Sequence, residues 1–147
     1  MDRVDTIERQ ITLNRPIEHV WAALTEADQL SQWFGDSAEV DLRPGGRMTV
    51  GWSEYDAIAE CVVESVEPPR RFSYRWQSST SDDGVAWMTT VEFTLETSGG
   101  GTLLTVIESG LSALPDELYG RTLEENSSGW TSELEDLRQM MEGASTR

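Results

Sequence analysis

Glu108 is the side chain in this sequence best placed to do chemistry. It continues the alternating face of Leu104 and Val106, so a strand there carries a carboxylate into the interior that those two aliphatic side chains occupy. A buried acid costs stability unless it is paired or hydrogen-bonded. Beside a cavity it can orient a ligand hydroxyl or act as a general acid or base, which makes Glu108 the one candidate catalytic residue. Two alternatives stand against this reading: a solvated strand end, and neutralisation by Arg47 or Arg75. The second group is aromatic. Trp33, Trp52, Tyr74, Trp76, Trp87 and Trp130 carry apolar bodies, several with a polar tip, and could line an elongated small-molecule pocket. The same rings could instead fill a core.

Other reactive types lack company. His19 is the single histidine and Cys61 the single cysteine, so no transition-metal ligand set and no disulfide is expected. Cys61 has no identifiable base beside it and reads as a packed strand residue. His19 falls off the stripe formed by Ile17, Val20 and Leu24 and is expected at the surface. Arg70, Arg71 and Arg75 suggest an anion site only weakly, since Arg70 and Arg71 follow the Pro68-Pro69 turn. The run Ser98-Gly99-Gly100-Gly101-Thr102 lacks the lysine of a phosphate loop and reads as a hairpin turn. No cofactor is implied.

The chain has 147 residues, enough for one domain spanning residues 1–147, and 37% of them are hydrophobic. Its 27 acidic and 11 basic residues leave a net charge of -16, which repels phosphate backbones and anionic lipid surfaces. Nucleic acid and membrane are therefore not expected partners. Every basic residue is arginine. A charged N-terminus, a lone cysteine and the lack of a long apolar run favour a cytoplasmic protein.

These candidates need elements to hold them. Ile7, Arg9, Ile11 and Leu13 alternate as in a strand, followed by Asn14 as a helix cap and Pro16 at a helix start. Ile17, Val20, Trp21 and Leu24 mark one short helix. Ala27, Leu30, Trp33 and Phe34 mark a second, ended by Gly35. From there to about residue 110, turns at 43–46, 68–69, 81–84 and 98–101 separate strands with inward faces of Met48, Val50 and Trp52; Phe72, Tyr74 and Trp76; Trp87, Thr89, Val91, Phe93 and Leu95; and Leu104 and Val106. Around 57–66 either Ile58, Val62 and Val66 or Ala59, Cys61 and Val63 face inward. Ser112 to Arg121 reads as a loop or short turn that could gate a cavity mouth. Leu123, Trp130, Leu134, Leu137 and Met141 then recur at helical spacing over roughly 122–142, a helix of about 30 Å with acids opposite. The arrangement is α+β: a first strand, two short helices, about six antiparallel strands and a long C-terminal helix across the sheet.

In that order along the chain, residues 16–25 (PIEHVWAALT), 30–34 (LSQWF), 44–48 (PGGRM), 67–76 (EPPRRFSYRW), 91–95 (VEFTL), 101–106 (GTLLTV) and Gly129-Trp130 resemble the SRPBCC superfamily with its START-like, helix-grip fold. Within it they are most similar to the branch named for activators of the ninety-kilodalton heat-shock chaperone ATPase. The resemblance implies a curved sheet of about six to seven strands wrapped on the last helix. It also implies a choice among ligand binders, cyclase-like enzymes and co-chaperone domains. The leading expectation is a small hydrophobic or amphipathic ligand held by Trp33, Met48, Val50, Trp52, Tyr74, Trp76, Trp87, Thr89, Phe93, Val106, Glu108, Trp130 and Leu134. A cyclase- or hydrolase-like enzyme is the first alternative. The second is a stress-response module contacting a chaperone or regulator through the acidic helix face, with a homodimer left open.

Overall fold

The structure, a computed structural model, describes residues 3–142. Seven strands form one antiparallel sheet: β1 (Thr6–Leu13), β2 (Ser37–Val40), β3 (Arg47–Trp52), β4 (Ala57–Glu67), β5 (Arg71–Thr80), β6 (Ala86–Ser98) and β7 (Gly101–Ser109). Their order across the sheet is β1-β7-β6-β5-β4-β3-β2. Consecutive strands from β2 onward are therefore neighbours, and β1 returns to pair with β7. Helices α1 (Ile17–Thr25) and α2 (Ala27–Leu30) lie between β1 and β2, and α3 (Asp116–Glu142) ends the chain. This is the expected helix-grip arrangement. Among the described residues, no helix is long and apolar enough to cross a membrane.

Alternation decides the faces. Met48 and Val50, then Phe72, Tyr74 and Trp76, then Val91, Phe93 and Leu95, then Leu104 and Val106 are buried on one side of the sheet. Leu118, Trp130, Leu134, Leu137 and Met141 supply the buried stripe of α3 that covers them. The register of β4 settles on Ala59, Cys61 and Val63 facing inward, while Ile58 and Val62 stay exposed. A bulge between Val63 and Ser65 then shifts the pairing with β5 and returns Val66 to the core side.

Two local expectations are corrected. Asn14 does not cap α1: Pro16 holds the N-cap position, and its carbonyl accepts from the His19 and Val20 amides. The backbone N–H of Asn14 instead donates to Glu142 on α3. The second correction concerns residues 112–121. A short turn is present, the 3-10 turn at Leu111–Ala113, but it gives way to α3 at Asp116 rather than near residue 122, which makes the helix about 40 Å long. Pro115 before the first turn and Asp116 and Glu117 within it suit a helix N-terminus, whereas Gly120 had hidden the periodicity there. Nor is this segment a free gate. Asp5 accepts from the Gly110 and Ser112 amides and the Ser112 hydroxyl. Tyr119 donates to the Val4 carbonyl, and Arg3 stacks over the Tyr119 ring at 4.4 Å while pairing with Asp116.

Candidate ligand-binding site

Glu108 is fully buried, and its surroundings explain how that is tolerated. On the sheet it pairs with Ile7 on one side and Val91 on the other. One carboxylate oxygen accepts from the Trp130 indole N–H at 2.9 Å and from the Asn126 amide at 3.2 Å. The other accepts from the Thr89 hydroxyl at 2.6 Å, Asn126 at 3.0 Å and the Trp76 indole N–H at 3.3 Å. Every one of these contacts is a donor without net charge, and hydrogen bonds to a carboxylate are stronger than neutral ones. Neither sequence alternative holds. The strand end is not solvated, Arg47 pairs with Glu60 at 3.2 Å, and Arg75 lies 4.0 Å from Glu64.

The consequence is geometric. Trp76 and Trp130 both point their indole nitrogens at Glu108, which leaves their rings as wall material, with centroids 5.9 Å apart. Above them lies a cavity of about 640 Å³ lined by Phe34, Trp52, Tyr55, Trp76, Glu125, Asn126, Gly129, Trp130 and Glu133. Phe34 reaches it because the chain turns sharply at Gly35, whose φ is +76° and whose backbone sits against Gly51 so closely that a Cβ would fall 2.4 Å from the Gly51 carbonyl oxygen. The Phe34 ring stacks on Trp130 at 5.5 Å and meets Trp52 edge-on at 5.4 Å. Tyr55, on the 3-10 turn Ser53–Tyr55 after β3, is 71% exposed and forms the rim.

The thirteen expected ligand residues thus divide. Trp52, Trp76 and Trp130 line the cavity. Glu108 and Thr89 lie directly behind its wall, bonded to the wall residues. Met48, Val50, Tyr74, Phe93, Val106 and Leu134 are buried core that does not line it. Trp33 is held between helices by donating to the Ala23 carbonyl at 2.8 Å. Trp87 is half-buried away from the cavity, and its indole N–H, like the Tyr74 hydroxyl, is a buried donor with no partner among the described residues. Reasoning from sequence missed Phe34, Tyr55, Glu125, Asn126, Gly129 and Glu133 as wall residues. The signal for two of them was present, since Asn126 and Glu133 fall four residues before and three after Trp130 on one helix face.

Electrostatics single out Glu133. Burial, then the neighbouring Asp136, lift its carboxyl from the ordinary 4.5 to about 7, against a smaller opposing pull from the Trp52 side chain. Burial also pushes the Cys61 thiol up to about 12, consistent with a packed residue rather than a nucleophile. His19 is exposed. Arg71 pairs with Glu67 and Glu92, and Arg75 faces Glu64 at 4.0 Å. No group of residues suited to a metal ion occurs among those described.

Comparison with known proteins agrees with this architecture. The structure of the Mesorhizobium loti protein MLL2253 superposes with a TM-score of 0.80 at 25% identity, covering 91% of this chain and 94% of that one. CalU16 from Micromonospora echinospora gives 0.73 at 26% identity over 94% of this chain and 74% of its own. The Aha1 dimer from Colwellia psychrerythraea gives 0.76 at 17% identity over 95% and 97%, a likeness of fold alone. Among curated proteins none matches. Residues 14–142 match the family described as activator of Hsp90 ATPase homolog 1-like protein, and with the sheet order and gripping helix found here, the chain belongs to that family.

Proposed function

We propose that the protein binds a small hydrophobic or amphipathic molecule in the cavity between the Trp52–Trp76 end of the sheet and the Asn126–Glu133 turns of α3. The observation that carries this reading is the way the wall is held. Two tryptophans and an asparagine that face the cavity are tied from behind to one buried carboxylate, so the rings cannot rotate inward to fill the space without breaking strong hydrogen bonds. A volume of about 640 Å³ falls within the ~300–1,000 Å³ of small-molecule pockets. The same arrangement weakens the enzyme alternative, because Glu108 spends both oxygens on protein donors and lies outside the wall.

Native mass spectrometry of gently purified protein tests the proposal, together with an apolar and aromatic compound library followed by tryptophan emission and melting temperature. Retained adducts, or compounds that shift both signals, are expected. A chain that carries no adduct and responds to no compound refutes it.

A further inference from the structure

The charges on the cavity walls are all of one sign. Every charged side chain lining the cavity is a carboxylate, Glu125 and Glu133. The adjoining cleft, about 420 Å³, shares Trp52, Tyr55 and Glu133 with it and adds Asp36, Glu54 and Asp136. None of the described arginines lines either space. Six of the ten described arginines pair with a carboxylate elsewhere: Arg3 with Asp116, Arg43 with Asp41, Arg47 with Glu60, Arg71 with Glu67 and Glu92, Arg75 with Glu64, and Arg138 with Glu135.

Around this acidic side stand five aromatic rings, Phe34, Trp52, Tyr55, Trp76 and Trp130. The face of an aromatic ring is its negative side, and a cation over it is attracted most strongly when tryptophan is the partner and water is excluded. Glu133 meanwhile has lost part of its hydration and sits next to a second acid, with a hydrogen bond from Trp52 but no arginine among the described residues lining either space to offset it. A neutral guest would bury that carboxylate further, whereas a positively charged one would supply the missing partner.

We propose that the cavity takes an organic cation, an ammonium group carried on an aromatic or alkyl body. The body lies against Trp52, Trp76 and Trp130, and the charged head lies at Glu133. This inference rests on the cavity being a ligand site, and it adds the chemical class.

The test uses an isosteric pair, benzyltrimethylammonium and its neutral carbon analogue neopentylbenzene, each titrated against the tryptophan emission of the whole chain at pH 8 and low salt. The cation is expected to bind about tenfold more tightly than the isostere. Glu133→Gln should weaken the cation roughly three- to tenfold and leave the isostere within about twofold. Raising the salt to 0.5 M should weaken only the cation in the parent protein, a readout that does not depend on the variant folding. If the isostere binds as tightly as the cation, or if salt and Glu133→Gln affect both alike, the charge inference is overturned while the cavity proposal stands. If neither probe binds, the charge inference is overturned, and the adduct and library measurements decide the cavity proposal separately.

Discussion

The two ends of the sheet bury their inward faces in different ways. At one end Leu13, Leu24, Phe72, Leu95, Leu104 and Leu137 are each at most 1% exposed. Their packing is sealed by the join between β1 and the end of α3, where Arg15 donates to the Met141 carbonyl and Asn14 to Glu142. At the other end the same strands present Trp76, Thr89 and Glu108, and the helix presents Asn126 and Trp130. Flexible aliphatic side chains settle into whatever space is left and fill it. Tryptophans fastened by their nitrogens to a common acceptor keep their positions, and the space beside them stays open. Side-chain chemistry at alternate positions, rather than strand geometry, separates core from cavity.

The sharpest way to break this comparison is to truncate the filled end. Leu104 is fully buried, paired with Ile11 and Leu95. Leu104→Ala should cost about 2–5 kcal/mol in urea unfolding, because the packed surroundings cannot collapse onto the void. A cost below about 1 kcal/mol would mean that end is no better filled than the other. Next in size is Glu108→Gln, which turns one acceptor oxygen into a donor facing other donors. It should lose about 1–3 kcal/mol and move tryptophan emission, since Trp76 and Trp130 bond to different oxygens and one of the two indoles loses its acceptor. Unchanged stability and emission would show that Glu108 does not hold the wall.

Most of this frame was legible in the sequence, and the reason is periodicity. Alternation along β3, β5, β6 and β7 named the inward faces, and the last helix's stripe named the side that covers them. Glu108 stood out because a carboxylate broke an aliphatic alternation. What sequence could not supply was which donors converge on it. Thr89, Trp76, Asn126 and Trp130 come from two strands and a helix, and only the register between β5, β6 and β7 brings them together. Phe34 and Tyr55 were invisible as wall residues for a related reason, since each sits on a short turn with no repeating pattern, the first directed by the close approach of Gly35 to Gly51 and the second a 3-10 turn ended by Asp56 at a φ of +51°.

A smaller effect separates the rim from the core. Because folding raises the Glu133 carboxyl from 4.5 to about 7, the folded chain holds that proton more tightly than the unfolded chain does. The associated stability is fully present below about pH 4.5 and is lost as the pH rises through about 7. Glu133→Gln should therefore match the parent near pH 4.5 and exceed it by about 1 kcal/mol at pH 8, a figure reduced for the group's partial exposure to solvent. A pH-independent difference in urea midpoints would place the strain elsewhere.

The smallest expected change concerns a polar atom in the filled core behind the cavity. The Tyr74 hydroxyl is buried without a partner among the described residues, and burial, ahead of the nearby Cys61, Glu108 and Glu133, raises its pKa well above the ordinary phenol value. Its ring packs between Phe72 and Phe93, with centroids 5.6 and 6.3 Å away, so phenylalanine fits the same space. Tyr74→Phe should hold stability or raise it by up to about 1 kcal/mol, since deleting an unsatisfied donor removes its desolvation cost and loses no hydrogen bond. A loss of more than about 1 kcal/mol would mean that the hydroxyl has a partner, such as an ordered water, and that the core is fully satisfied there.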